Sequence, residues 1–147
     1  MIYTVRYAHL EEIPKKKKGD FIHSGDLIGI MGETGKCYGA HLHIDCVEGF
    51  IPVPWRLSQM ESGEVTPNFT QLNYFIDEAL FRGKYKVTSH IFDHKYKEKF
   101  KKNHPAYDVI PLEGKFKIYW NRSKNGTVLS TGYDPGYGNY IHIGFTI

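Results

Sequence analysis

The sequence predicts a mainly β chain with a single helix. Three observations carry that prediction. Short segments rich in β-branched and aromatic residues recur along the chain. Glycine and proline punctuate them, as turns require. Only one stretch keeps helical spacing over several turns. The length, 147 residues, is that of one ordinary domain, which buries enough surface to fold without disulfide or metal staples.

The elements follow in order. Ile2-Tyr3-Thr4-Val5-Arg6-Tyr7 is β-rich. Residues 21–32 alternate short apolar pieces with Gly25, Gly29 and Gly32, which mark turns and close backbone approaches. Residues 40–47 form a strand bearing His41 and His43. Residues 51–65 read as irregular, with Pro52, Pro54 and a turn at Ser62-Gly63. A helix is expected over 67–82, with Thr66 as N-cap, Pro67 in the first turn and Gly83 as C-terminal cap. Phe69, Leu72, Phe75, Ile76, Ala79 and Leu80 would share its buried face, as ordinary core. Strands return at 85–89, 107–110, 116–120, 126–130 and 139–147, with a loop at 134–138. No repeat or low-complexity segment interrupts the pattern.

Composition narrows the class. Hydrophobic residues make up 41%, with 11 Tyr and 9 Phe, which excludes disorder. No apolar run approaches the ~20 residues of a membrane span. The first residues lack the basic-then-apolar pattern of a signal peptide. Cys37 and Cys46 flank the His pair; free thiols are expected rather than a disulfide, and neither is expected to hold metal. The net charge of +3 concentrates in Lys15–Lys18 and in Lys95, Lys97, Lys99, Lys101 and Lys102. These runs suit a solvated loop, or attraction to an anionic polymer. No nucleic-acid recognition motif accompanies them, and the bacterial cell wall fits as well on charge alone.

The candidate chemistry lies in Gly39-Ala40-His41-Leu42-His43-Ile44-Asp45. In a strand, residues i and i+2 point to one face. His41 and His43 would stand side by side there. Two imidazoles joined by a third His and a carboxylate suit a zinc hydrolase, in which three protein ligands leave one position for water. Distant segments offer those partners, Tyr7-Ala8-His9-Leu10 and His104-Pro105-Ala106-Tyr107-Asp108.

Taken together, these segments resemble a LytM/lysostaphin-type zinc peptidase. Asn103-His104-Pro105-Ala106-Tyr107-Asp108 is similar to the family's His-x-x-x-Asp motif, and Gly138-Asn139-Tyr140-Ile141-His142-Ile143 to the strand that follows it. Tyr7-Ala8-His9-Leu10 resembles its Tyr-x-His-Leu segment. The stretch from Gly25 through Gly32-Glu33-Thr34-Gly35 to His43 resembles its run up to the final His-x-His. The order differs, because the last two family segments come first here. The chain therefore reads as a circular permutation, with a 1–50 half, a joining segment at 51–84 and an 85–147 half, and the family order implies that the strand at 141–147 pairs antiparallel with the one at 2–7. The joining helix, and Ala106 where the family usually has glycine, are further departures.

The resemblance implies an antiparallel β-sheet peptidase core. It implies His43, His104 and Asp108 as zinc ligands, and His9 and His41 as catalytic histidines. Tyr96 falls in the loop where the family often places a transition-state tyrosine. Asp45 shares the face of His43 and could orient an imidazole. His23, His90, His94 and His142 match nothing catalytic, and a structural role is expected for His142. The implied reaction is endopeptidase cleavage of peptide cross-bridges in bacterial peptidoglycan, at glycine bridges or D-alanyl to diaminopimelate bonds. The implied place of action is the cell wall, and the missing signal-peptide pattern suggests a phage-encoded or virion-borne endolysin. A monomer is expected, with a domain-swapped dimer as the other possibility. The alternative reading is a non-catalytic cell-wall-binding or activator module on the same fold.

Overall fold

The computed structural model describes residues 1–37, 39–89 and 105–147. His90, His94, Tyr96, His104 and the second lysine run lie outside the described residues.

Among the described residues, nine strands and two short helices follow one another: β1 (Ile2–Leu10), β2 (Phe21–Ile22), β3 (Leu27–Ile30), β4 (Leu42–Glu48), α1 (Leu57–Glu61), α2 (Phe69–Asn73), β5 (Tyr85–Ser89), β6 (Tyr107–Pro111), β7 (Lys117–Tyr119), β8 (Gly126–Asp134) and β9 (Gly138–Thr146). Seven of them form an antiparallel sheet in the order β2-β8-β9-β1-β4-β6-β5, while β3 and β7 pair separately. β1 is central. It pairs with β4 from Tyr3↔Glu48 to Ala8↔His43, and with β9 from Ile2↔Thr146 to Tyr7↔Ile141. The pairing of the first and last strands is the one the resemblance implies. The backbones of Met1 and Ile147 hydrogen-bond to each other.

The period of two decides which face each residue serves. On one face Tyr3, Val5 and Tyr7 of β1 join Leu42, Ile44 and Cys46 of β4. Ile141, Ile143 and Phe145 of β9 and Val109 of β6 belong to the same core. Leu72, Phe75, Leu80 and Phe81 cover it. On the other face Val47 packs with Trp55 and Val65. The 51–84 segment therefore covers both sides of the sheet.

The long helix expected over 67–82 is only α2, and α1 replaces part of the irregular stretch. Asn68, not Thr66, caps α2, its Oδ1 accepting the Gln71 N–H at 2.9 Å. Competition for backbone groups ends the helix early. In a continued helix the Ala79 N–H would donate to the Phe75 carbonyl. Instead Asp77 Oδ1 takes that N–H at 2.9 Å, and Asn121 Nδ2 donates to the Phe75 carbonyl at 2.8 Å. The Leu80 carbonyl likewise accepts from Tyr119 N at 2.9 Å. Local side-chain bonds of this kind rival the helical ladder. The apolar face survives as turns, with Leu72, Phe75 and Leu80 buried and Ala79 exposed. α1 spans five residues, buries none of them, and is held at its start by the Gln59 side chain accepting the Arg56 N–H at 2.8 Å.

One turn seats the site. Gly35 and Gly138 both have positive φ, +76° and +67°. A Cβ on Gly35 would run into the Gly138 backbone, and one on Gly138 into Thr34. Only glycine at both positions lets the Thr34 turn lie against the start of β9. Thr34 Oγ1 then donates to the Leu10 carbonyl at 2.7 Å and accepts from Asn139 N at 3.0 Å.

Candidate active site

His43 and Asp108 stand directly opposite each other, on β4 and β6. His43 Nδ1 lies 3.4 Å from Asp108 Oδ1. Two donors of a tetrahedral zinc site, each about 2.0–2.1 Å from the metal, are held about 3.3–3.4 Å apart by that geometry. The spacing and the nitrogen and oxygen donors fit zinc. The third expected ligand, His104, lies outside the described residues.

His41 and His9 complete the cluster. His41 Nε2 is 3.5 Å from the same Asp108 oxygen. The rings of His9 and His41 have centroids 4.9 Å apart, and those of His9 and His43 are 5.9 Å apart. His9 reaches this place through an irregularity. Between Tyr7 and Leu10 the β1–β9 register shifts, and His9 takes a left-handed φ of 61°. Histidine is among the few non-glycine residues enriched in that region. The backbone is pinned there, His9 N donating to the Tyr137 carbonyl at 2.8 Å.

Tautomers follow from the hydrogen bonds. The carbonyl of Thr34 accepts from His9 Nδ1 at 2.7 Å. A neutral His9 ring therefore keeps its proton on Nδ1 and presents the lone pair of Nε2. Burial, then the neighbouring His43, pulls the His9 pKa down to about 4. The Gly39 carbonyl accepts from His41 Nδ1 at 3.0 Å, so His41 has the same tautomer.

Asp45 does approach an imidazole, as the spacing suggested. Its Oδ1 is 3.5 Å from His43 Nε2. Burial works against a proton on His43, but hydrogen bonds and charge from Asp108 and Asp45 outweigh it and raise the pKa to about 9. A field that favours a proton between two carboxylates also favours a metal cation.

Asp45 is itself clamped. Arg6 Nε donates to Oδ1 at 2.9 Å and Nη2 to Oδ2 at 2.7 Å. Trp55 Nε1 donates to Oδ2 at 2.9 Å. Arg6 and Asp45 are each only 1% exposed. The guanidinium lies between the rings of Trp55 and Tyr137, 4.0 and 3.6 Å from their centroids. Burial alone would raise the Asp45 pKa; the Arg6 charge and the bonds from His43 and Arg6 hold it well below the usual carboxylate range.

Sequence reasoning missed Arg6, Thr34, Trp55 and Tyr137. The one available signal was Arg6, a charge on an otherwise apolar strand. Cys37, read as a plain free thiol, is free but lies 3.3 Å from His41 Nδ1. His142 is buried, bonded from Nδ1 to the Ile51 carbonyl at 2.9 Å, with its ring tilted against that of Trp55. His23 is exposed.

Residues 2–53 match the family model of peptidase family M23. The segment contains His9, His41 and His43. Among curated proteins the chain is similar to the peptidoglycan DD-endopeptidase ShyB of Vibrio cholerae, 26% identical over 84 residues, 51% of this chain and 20% of that protein. It is also similar to the peptidoglycan DD-endopeptidase ShyA of the same organism, 41% identical over 51 residues, 35% of this chain and 12% of that protein. The chain thus spans a fifth or less of the length of these relatives. No solved structure matches it. Among the described residues no helix is long and apolar enough to cross a membrane.

Proposed function

We propose that this chain is an M23-type, zinc-dependent endopeptidase that hydrolyses peptide cross-bridges of bacterial peptidoglycan. One observation carries the reading above the others. The His-x-His strand is registered so that His43 meets Asp108 at a metal-ligand spacing, with His41 and His9 alongside. We assign His43, Asp108 and His104 to the metal and His9 and His41 to proton transfer.

Zinc held by these ligands would supply Lewis acidity toward the scissile carbonyl and acidify a water. The chain's own residues supply the rest. His9 and His41 both keep Nδ1 protonated and present Nε2 as an acceptor. One of them takes a proton from the attacking water as the new C–O bond forms. The Nε2–H of that newly formed imidazolium then supports the charge on the carbonyl oxygen. The proton passes to the leaving amine as the C–N bond breaks. Side-chain exposures of 20% for His41 and 18% for Asp108 leave the cluster open to a peptide on one side.

Both relatives are named DD-endopeptidases. That favours a bond between D-configured residues over an achiral glycine bridge. The motif order, with β1 paired to β9 and 51–84 joining β4 to β5, supports a circularly permuted core within one chain.

Metal analysis tests the ligand set. Wild-type protein desalted into metal-free buffer is expected to retain about one zinc per chain. His43→Ala, Asp108→Ala and His104→Ala are each expected to lose it. Equal zinc in the wild type and the three variants would remove the proposed site.

A further inference from the structure

The thiol of Cys37 has no place in the chemistry above, yet it sits against it. Cys37 lies on the turn before β4, partly buried, with Sγ 3.3 Å from His41 Nδ1. One donor atom each from His9, Cys37 and His41 fall within 4.8 Å of one another, a metal-capable group among the described residues. The side of His41 used here is Nδ1; its Nε2 faces Asp108. Glu33 holds the turn by accepting the Gly39 N–H at 2.9 Å. Its carboxylate and that of Asp108 both act on the thiol as negative charges. Two imidazoles and a thiol in a negative field suit a soft or borderline divalent cation such as zinc or cadmium, not magnesium or calcium.

We propose that His9, Cys37 and His41 form a second, weaker site for a thiophilic divalent cation, and that filling it inhibits the enzyme. Binding releases the thiol proton to solvent, breaks the His41 Nδ1 bond to the Gly39 carbonyl, and moves the His41 proton from Nδ1 to Nε2, which can then no longer accept one. The 4.8 Å spread exceeds the roughly 3.3–3.7 Å between ligands of a tight tetrahedral centre, so the side chains must close on the ion. That requirement makes the site weaker than one already at ligand spacing. Both histidines engaged there are the proposed proton carriers, so an ion bound to them stops proton transfer. Excess zinc would then switch off the activity that the first equivalent switches on. The inhibition rests on the function proposed above; the binding does not.

Cadmium titration of the full chain separates the two. Thiolate-to-cadmium charge-transfer absorbance reports sulfur ligation alone, whether or not His43 and Asp108 hold metal. The wild type is expected to develop this band, saturating at one thiolate-bound cadmium per chain. Cys37→Ser, which still contains Cys46, is expected to show none. In His41→Ala the band should need more than about tenfold higher cadmium, since even outer-shell losses cost 10–100-fold in metal affinity. No band in the wild type, a band persisting in Cys37→Ser, or an unshifted titration in His41→Ala would overturn the site. In parallel, the ratio of hydrolysis at excess zinc to that at one equivalent should fall at least tenfold in the wild type and stay near unity in Cys37→Ser. Equal ratios in the two proteins would overturn the inhibitory role. Absence of hydrolysis at every zinc level, with the band intact, would count against the endopeptidase reading and leave the cation site standing.

Discussion

His41→Ala is expected to lower cross-bridge hydrolysis by about 10²–10⁴-fold, the contribution typical of a positioned acid–base group, with zinc content unchanged. His41 stands beside the His43–Asp108 pair and is part-exposed. His9 should behave alike, but its backbone demands a different substitution. At a φ of 61°, alanine would add strain to the loss of the imidazole. Asparagine tolerates that conformation, so His9→Asn isolates the chemistry. Steady-state kcat/KM beside metal analysis on the same samples decides the roles. A variant that loses zinc marks its residue as a ligand. Full activity in both variants would refute the proton-transfer assignment.

Arg6→Ala is expected to destabilise the fold by about 3–5 kcal/mol, the usual cost of stranding one partner of a buried ion pair. Asp45 would keep its charge with only Trp55 Nε1 and His43 beside it, and the space between the Trp55 and Tyr137 rings would empty. Chemical denaturation of the two proteins measures the difference, and a loss under about 1 kcal/mol would contradict the account. The double variant Arg6→Met with Asp45→Leu sharpens the test. Replacing both charges with apolar side chains is often neutral for stability. It should recover much of the single-variant loss, yet still weaken zinc binding about 10–100-fold, because His43 Nε2 loses its carboxylate. The partly open Arg56–Asp134 pair, with Arg56 50% exposed, should matter far less.

Much of this was legible because β structure writes its period into the sequence. Leu42, Ile44 and Cys46 alternate with His41, His43 and Asp45, and the sheet buries the first set while gathering the second into the site. The β1–β9 pairing followed from motif order. What escaped depended on partners far along the chain. The helix over 67–82 stops short because Asn121 and Asp77 take the groups it needed, and apolar spacing carries no trace of that. Trp55 belongs to a proline-rich stretch with no periodicity, yet its ring and carbonyl complete the Arg6 clamp 49 residues away. Cys37 meets His41 through a turn in which Gly39 has a φ of +109°. A strand-based reading places those two side chains without relating them.

The proposed activity is hydrolysis of a peptide cross-link by bound metal together with His9, His41, His43 and Asp108, with His104 as the further proposed ligand. Incubating a purified, cross-linked muropeptide dimer with the zinc-loaded chain, with mass analysis of the products, tests it most directly. The account predicts two monomers whose summed mass exceeds the dimer by one water, and no conversion after chelation or with Asp108→Ala. An intact dimer in the presence of folded, zinc-loaded protein, or cleavage that persists in Asp108→Ala, would contradict it.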